Sequence, residues 1–307
     1  MSKEKTKLMF MAFAAGKEST DASAIKRYIG VAPVFVLAVN PSKTKLEKLY
    51  GITLEKDPIY IGESITEVNG VKTTVPQIRI DFIVRTDPDF SNGIDFKTKI
   101  SFFLNKEYKL NKDKTKVQVI NKYGETTWLT IENAKNKVIP EILKWFDAES
   151  FRPAYVGEEN LVSFIRTYLC IPNKSYRDSN GVVHTIENKD DAVAQLEHID
   201  SYFNGDVSEL EEVLTLQPKN KIKVMFGVKT ADDNKLYQTI YTQKFLKNNA
   251  FDYTRLDADL QERKNNGAYS NVEFDTCKIK EYSLQASKLD TSEQPEDMPD
   301  TDSFWNK

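Results

Sequence analysis

The stretch PQIRIDFIVRT, residues 76–86, alternates residue by residue: Ile78, Ile80, Phe82 and Val84 fall on one face, and Arg79, Asp81 and Arg85 on the other. Period-two alternation is the mark of a β-strand with one face on a core. DFKTKISFFL (95–104) repeats the pattern. Phe96, Ile100, Phe102 and Leu104 point one way and Lys97, Lys99 and Phe103 the other. Two such strands close together predict an antiparallel sheet with a charged outer face.

Outward from this pair the strands continue. Residues 26–40 are rich in Val and Ile, and Asn40-Pro41-Ser42 ends them. Ser42 is placed to cap a short helix over Lys43–Leu49, which Gly51 stops. Residues 58–63 and 68–74 predict strand and hairpin, with Asn69-Gly70 as the turn. Strands are expected at 115–121 and at 126–131, the latter carrying Trp128 after the Tyr123-Gly124 turn. The period then changes: Pro140–Phe146, Glu158–Cys170, Asp190–Phe203 and Asp206–Leu216 read as helices, with a polar loop at 172–189. Strands return at 221–229, where Ile222, Val224, Phe226 and Val228 are expected inside and Lys221, Lys223 and Lys229 outside. A strand at 235–246 places Tyr237, Tyr241 and Phe245 on one face. A helix over 252–264 and a strand over 272–284 follow. The fold class is therefore α+β and β-rich: an OB-like barrel or a curved antiparallel sheet with a helical insertion at about 139–216, or a two-sheet sandwich. Residues 1–288 are expected to form one domain, and 289–307 a disordered acidic tail.

Charge and composition narrow the function. The 307 residues are 40% hydrophobic and 11% aromatic, enough for a substantial core, and the net charge is −3. From Leu289 onward six acids face Lys307 alone, a charge of −5, so residues 1–288 carry +2. This asymmetry suits a basic binding surface with an acidic interaction tail. No stretch approaches the roughly 20 apolar residues of a membrane span. The opening MSKEKTKLMFMAFAAGKEST has an apolar patch, Leu8–Ala15, at the lower limit for a signal peptide, and a first strand or arm is the plainer reading. Two distant cysteines, Cys170 and Cys277, argue against a disulfide framework and for a reducing compartment.

Catalytic chemistry finds no motif. There is no glycine-rich phosphate loop and no nucleophile elbow. Cys170, His184, His198 and Cys277 lack the close pairs of a zinc site. No metal, cofactor or catalytic residue is expected. What stands out is basic residues on strand faces, Arg79, Arg85, Lys97, Lys99, Lys116, Lys221 and Lys223, with Phe103, Tyr123, Trp128, Tyr237 and Tyr241 among them. Cations that track a backbone, with rings on which bases stack, are the means of single-strand binding. Trp128 reads equally as a core anchor. The tail, EQPEDMPDTDSFW followed by Asn306-Lys307, offers Glu296, Asp297, Asp300 and Asp302 beside Phe304 and Trp305. That combination suits insertion into an apolar pocket with a basic rim.

YIGVAPVFVLAVNPSKTKLEKLYG (28–51), INKYGETTWL (120–129) and FRPAYVGEENLVSFIRTYL (151–169), together with the aromatic-tipped acidic tail, resemble phage single-stranded DNA-binding proteins. The resemblance implies an OB-type barrel, single-stranded DNA as ligand, and replication proteins (polymerase, primase or helicase) as partners of the tail. It also implies action in replication or recombination in the host cytoplasm, with a homo-oligomer compatible. Within it, Arg152 and Tyr155 of RPAYVGEE are candidates for a phosphate and a base, or Arg152 pairs with a helix-start carboxylate. The tail departs from many members by ending in Asn-Lys after its aromatics. A virion or assembly protein without nucleic-acid affinity is the alternative.

Overall fold

The computed structural model describes residues 26–68, 71–144, 146, 151–169, 175–177, 183–185, 199–215, 221–232 and 234–283. The chain is α+β and strand-rich, built on a curled antiparallel half-barrel sheet with a few helices. In chain order the elements are β1 (Tyr28–Val39), α1 (Lys43–Tyr50), β2 (Ile61–Val68), β3 (Val71–Thr86), β4 (Lys97–Tyr108), β5 (Lys116–Ile120), β6 (Thr126–Thr130) and α2 (Ile131–Lys135). There follow β7 (Arg152–Pro153), β8 (Tyr155–Val156), α3 (Glu158–Tyr168), β9 (Ser175–Arg177), β10 (Val183–Thr185), α4 (Ile199–Tyr202) and α5 (Ser208–Thr215). The last are β11 (Ile222–Thr230), β12 (Leu236–Ile240), β13 (Leu246–Lys247), α6 (Thr254–Asn265), β14 (Val272–Phe274) and β15 (Lys280–Glu281).

The main sheet runs β12-β11-β1-β3-β4-β8, with β2 on β3, β13 and β14 on β11, and β15 on β1. The alternation of 76–86 decides its inner face. Ile78, Ile80, Phe82 and Val84 are fully buried, as are Ile100 and Leu104 opposite them. They pack against Leu161, Phe164, Ile165 and Tyr168 of α3 and against α4 and α5 in one core. Phe82 and Phe164 lie with ring centroids 4.6 Å apart. The helices between β8 and β11 thus plug the half-barrel.

Among the described residues the outer face is covered at two places. α1 sits over Ala38 and Ile83 through Leu46. Its ends follow from sequence: Ser42 accepts the Lys45 N–H, and Gly51 closes the helix at φ 66°. At the other side α6, β13 and β14 cover Val31 and Met225 through Tyr241, Leu256, Leu260 and Phe274. A strip of outer face lies between the two covers.

Several local readings differ from the structure. The strand expected over 235–246 leaves the sheet after Ile240, so Tyr241 packs into the core on the outer face and is fully buried while Tyr237 stays exposed. The polar loop at 172–189 contains a small antiparallel pair, β9 with β10. The strand expected over 272–284 is two short strands, β14 and β15, and α2 follows β6 directly. The helix expected from Asp190 lies outside the described residues except for its end, α4.

Gly157, which opens α3, is the tightest point of the plug. Its φ is 89°, and a Cβ there would fall on the Phe103 carbonyl oxygen of β4. Gly157→Ala therefore combines about 1–2 kcal/mol of left-handed strain with overpacking against backbone of about 1–3 kcal/mol. Urea denaturation should show a loss of at least ~2 kcal/mol.

Candidate nucleic-acid interface

The strip between the two covers crosses four strands, and its first two residues, Lys223 and Pro33, are buried. Ladder registers place Lys223 of β11 opposite Pro33 of β1, Phe35 opposite Arg85 of β3, and Arg85 opposite Lys97 of β4. Residues directly opposite share a face, so Lys223, Pro33, Phe35, Arg85 and Lys97 form one continuous outer row. With strands about 4.8 Å apart, it crosses roughly 14 Å of sheet. The Arg85 guanidinium lies 5.8 Å from the centroid of the Phe35 ring.

Two exposed rings stand at one end of this row. Phe90 is 68% exposed and Phe251 82%. The Lys221 ammonium is 5.2 Å from the Phe90 centroid, and Lys223 is 4.2 Å from that of Phe251. Both loops are held in place. Phe90 rides on a loop closed by Phe90 N–H to Asp87, Gly93 N–H to Pro88 and Ile94 N–H to Ser91, and tied to the body by the Asn92 amide donating to Ile279. The loop before α6 is fixed by Lys223, whose ammonium donates to the Ala250 carbonyl at 2.6 Å. A loop already in place loses little entropy when a base stacks on its ring.

Most of the cations have carboxylate neighbours. Lys221 pairs with buried Asp87. Arg85 makes two bonds to Asp95, at 2.6 and 2.7 Å. This hydrogen bond holds the Asp95 carboxyl below, and the Arg85 guanidinium above, its ordinary range. Lys97 donates to the Leu49 carbonyl at 2.8 Å. Further along β3 and β4, Arg79 and Lys99 share the buried carboxylate of Asp81, at 3.1 and 3.4 Å, and Ser101 donates to it at 2.7 Å. Burial draws the Lys99 ammonium below the lysine range, with Asp81 working against that shift. Arg79 also lies 5.5 Å from the Tyr60 centroid, with Phe103 opposite it and 42% exposed.

The remaining residues singled out from sequence divide. Lys116 and Trp128 are exposed on the small β5–β6 sheet, with Lys109 5.9 Å from the Trp128 ring and held by Glu159 at 2.5 Å. Tyr155 is buried, stacked on exposed Tyr108 at 5.6 Å, and donates to Asp200 at 2.6 Å. Burial and that carboxylate push its hydroxyl well above the tyrosine range. Tyr123 is buried. Of the two roles open to Arg152, the geometry shows the ion pair: it grips Glu158 of α3 at 2.6 and 3.1 Å. Lys223, expected in solvent, is buried, because β11 is covered on both faces by separate cores. Tyr241 donates to Asp259 from the second core. Glu296, Asp297, Asp300, Asp302, Phe304 and Trp305 lie outside the described residues, as do Cys170 and His198.

Among the described residues no three His, Cys, Asp or Glu side chains group to hold a metal ion, and no helix is long and apolar enough to cross a membrane. No protein family, curated protein or solved structure matches the chain.

Proposed function

We propose that the chain binds single-stranded DNA without sequence preference along the outer strip, in phage replication or recombination, and that its acidic tail recruits replication partners such as polymerase, primase or helicase. One observation carries this reading: two solvent-facing phenylalanines on anchored loops, each with a lysine at its ring, continue a row that holds Arg85 and Lys97. Bases stack on Phe90 and Phe251 while Lys221, Arg85 and Lys97 meet phosphates. The carboxylates of Asp87 and Asp95 give way to phosphate as counter-ions. The strip suits about four nucleotides, the low end for one such fold.

Fluorescence anisotropy with labelled oligo-dT tests the reading at two salt concentrations. Neutralising three phosphates gives a slope of log K on log salt of about −2. A chain ending at Ser287 should bind more tightly, because the tail's acids compete with phosphate for the same cations. Absence of binding by either chain turns the reading to a virion or assembly protein. The observation behind that second reading is the hairpin of β2 and β3, beside which Ile59, Ile61 and Ile65 are 75%, 49% and 72% exposed.

A further inference from the structure

A cavity lies beyond the far end of the strip, between α1 and the start of β4. It measures about 590 Å³ and is lined by Ser42, Thr44, Lys45, Lys48, Leu49 and Lys97. Three of six lining residues are lysines and two more carry hydroxyls. The wall itself is mostly apolar.

The helix beside it breaks an electrostatic rule. A helix N-terminus carries partial positive charge and favours acids in its first turn. α1 has none there, and opens with Lys43-Thr44-Lys45 instead. The Lys43 ammonium donates to the Glu55 carbonyl at 3.5 Å. Two acids answer its neighbours in part. Glu211 of α5 binds Lys45 at 2.7 Å, and Asp95 feels Lys97 weakly while held by Arg85. Glu47 of α1 is turned to the Leu54 N–H at 2.9 Å. Lys48 is exposed. Lys45, Lys48 and Lys97 line the one cavity together, and a cavity lined by several cations suits an anion.

We infer that this cavity binds a phosphomonoester dianion, as found on the phosphorylated end of a DNA strand or on a mononucleotide. The ammonium groups of Lys48 and Lys97 and the Ser42 and Thr44 hydroxyls supply donors, and Leu49 with the lysine stems supplies an apolar wall for the attached sugar or base. Two charges on one phosphorus favour the monoester over the single charge of an internal phosphodiester. The link to strand ends rests on the DNA-binding reading; the dianion site itself does not.

Calorimetric titration of the full chain separates the two. Oligo-dT carrying a 5′- or 3′-phosphate is compared with the same oligomer ending in hydroxyls, and dTMP is titrated alone, each against the wild-type chain and Lys48→Glu. A terminal phosphate on one of the two ends should tighten binding about tenfold, the size of one charge-assisted contact, and Lys48→Glu should abolish that increment. Equal affinities for phosphorylated and hydroxyl-ended oligomers, or an increment that survives Lys48→Glu, overturn the site. If no oligomer binds, dTMP decides: saturable binding lost in Lys48→Glu sustains the site without the DNA reading, and absence of dTMP binding removes it.

Discussion

Glu158→Ala should lower the stability of the fold by about 3–5 kcal/mol, the range for breaking a buried ion pair from one side. The Glu158 side chain is fully buried at the first turn of α3, where it accepts both Arg152 bonds and the Tyr155 N–H at 2.8 Å. It therefore ties three things: the start of the helix that plugs the half-barrel, β7 on the small sheet, and β8 at the edge of the main sheet. Truncation leaves a buried hole and an arginine deprived of the carboxylate it faces. Arg152 keeps about a quarter of its side chain in water, which sets the loss nearer the lower figure. Urea midpoints check this, with Glu158→Gln as the partner variant. Gln keeps the volume and an acceptor for Tyr155, so the gap between the two variants isolates the charge. Equal stability of Glu158→Ala and the wild-type chain would remove the pair from the account of how α3 is held.

The second large effect falls on affinity. Phe90→Ala with Phe251→Ala should weaken oligo-dT binding by about 2–6 kcal/mol, since each stacked base is worth about 1–3 kcal/mol. The rings ride on different loops against different lysines, so their effects should add. Both are well exposed, and surface changes of this kind shift stability by roughly half a kcal/mol at most. The slope of affinity on salt should stay constant, because no charge is removed. Lys221→Ala, by contrast, should flatten the slope by about 0.7. Wild-type affinity in the double variant would move the stacking surface elsewhere, first to Tyr108 and Trp128.

The sheet was largely legible because its governing signal is local. Residues 76–86 and 95–104 declare their inner faces by alternation, and Ser42 and Gly51 bound α1 by their side chain and its absence. The candidate site was legible in half. Its cations stand on alternating strands and show as the polar phase, which is how Arg85, Lys97 and Lys221 came forward. Its rings do not. Phe90 and Phe251 lie in turns, where no periodicity separates a ring in solvent from one that folds back. Lys223 reads as exposed only on a strand with one covered face. The run Ile222–Val228 also carries Met225 and Gly227 in its polar phase, the near-continuous apolar pattern of a strand covered on both faces. Arg79 and Lys99 read as free cations because Asp81, their shared counter-ion, reads as one more polar residue of the same phase.

The position of β1 has a consequence for the chain while it is being made. β1 is central in the sheet, yet only one of its edges is served early: Phe35 meets Arg85 soon after synthesis, whereas Val34 must wait for Ile222 and Tyr28 for Glu281. At about 5–20 residues per second the first wait lasts on the order of ten to forty seconds. Throughout it a Val-rich ladder edge lacks β11, its partner among the described strands. The nascent chain is therefore exposed to wrong pairing at β1, and its yield in the cell depends on what shields that edge until the ribosome delivers β11.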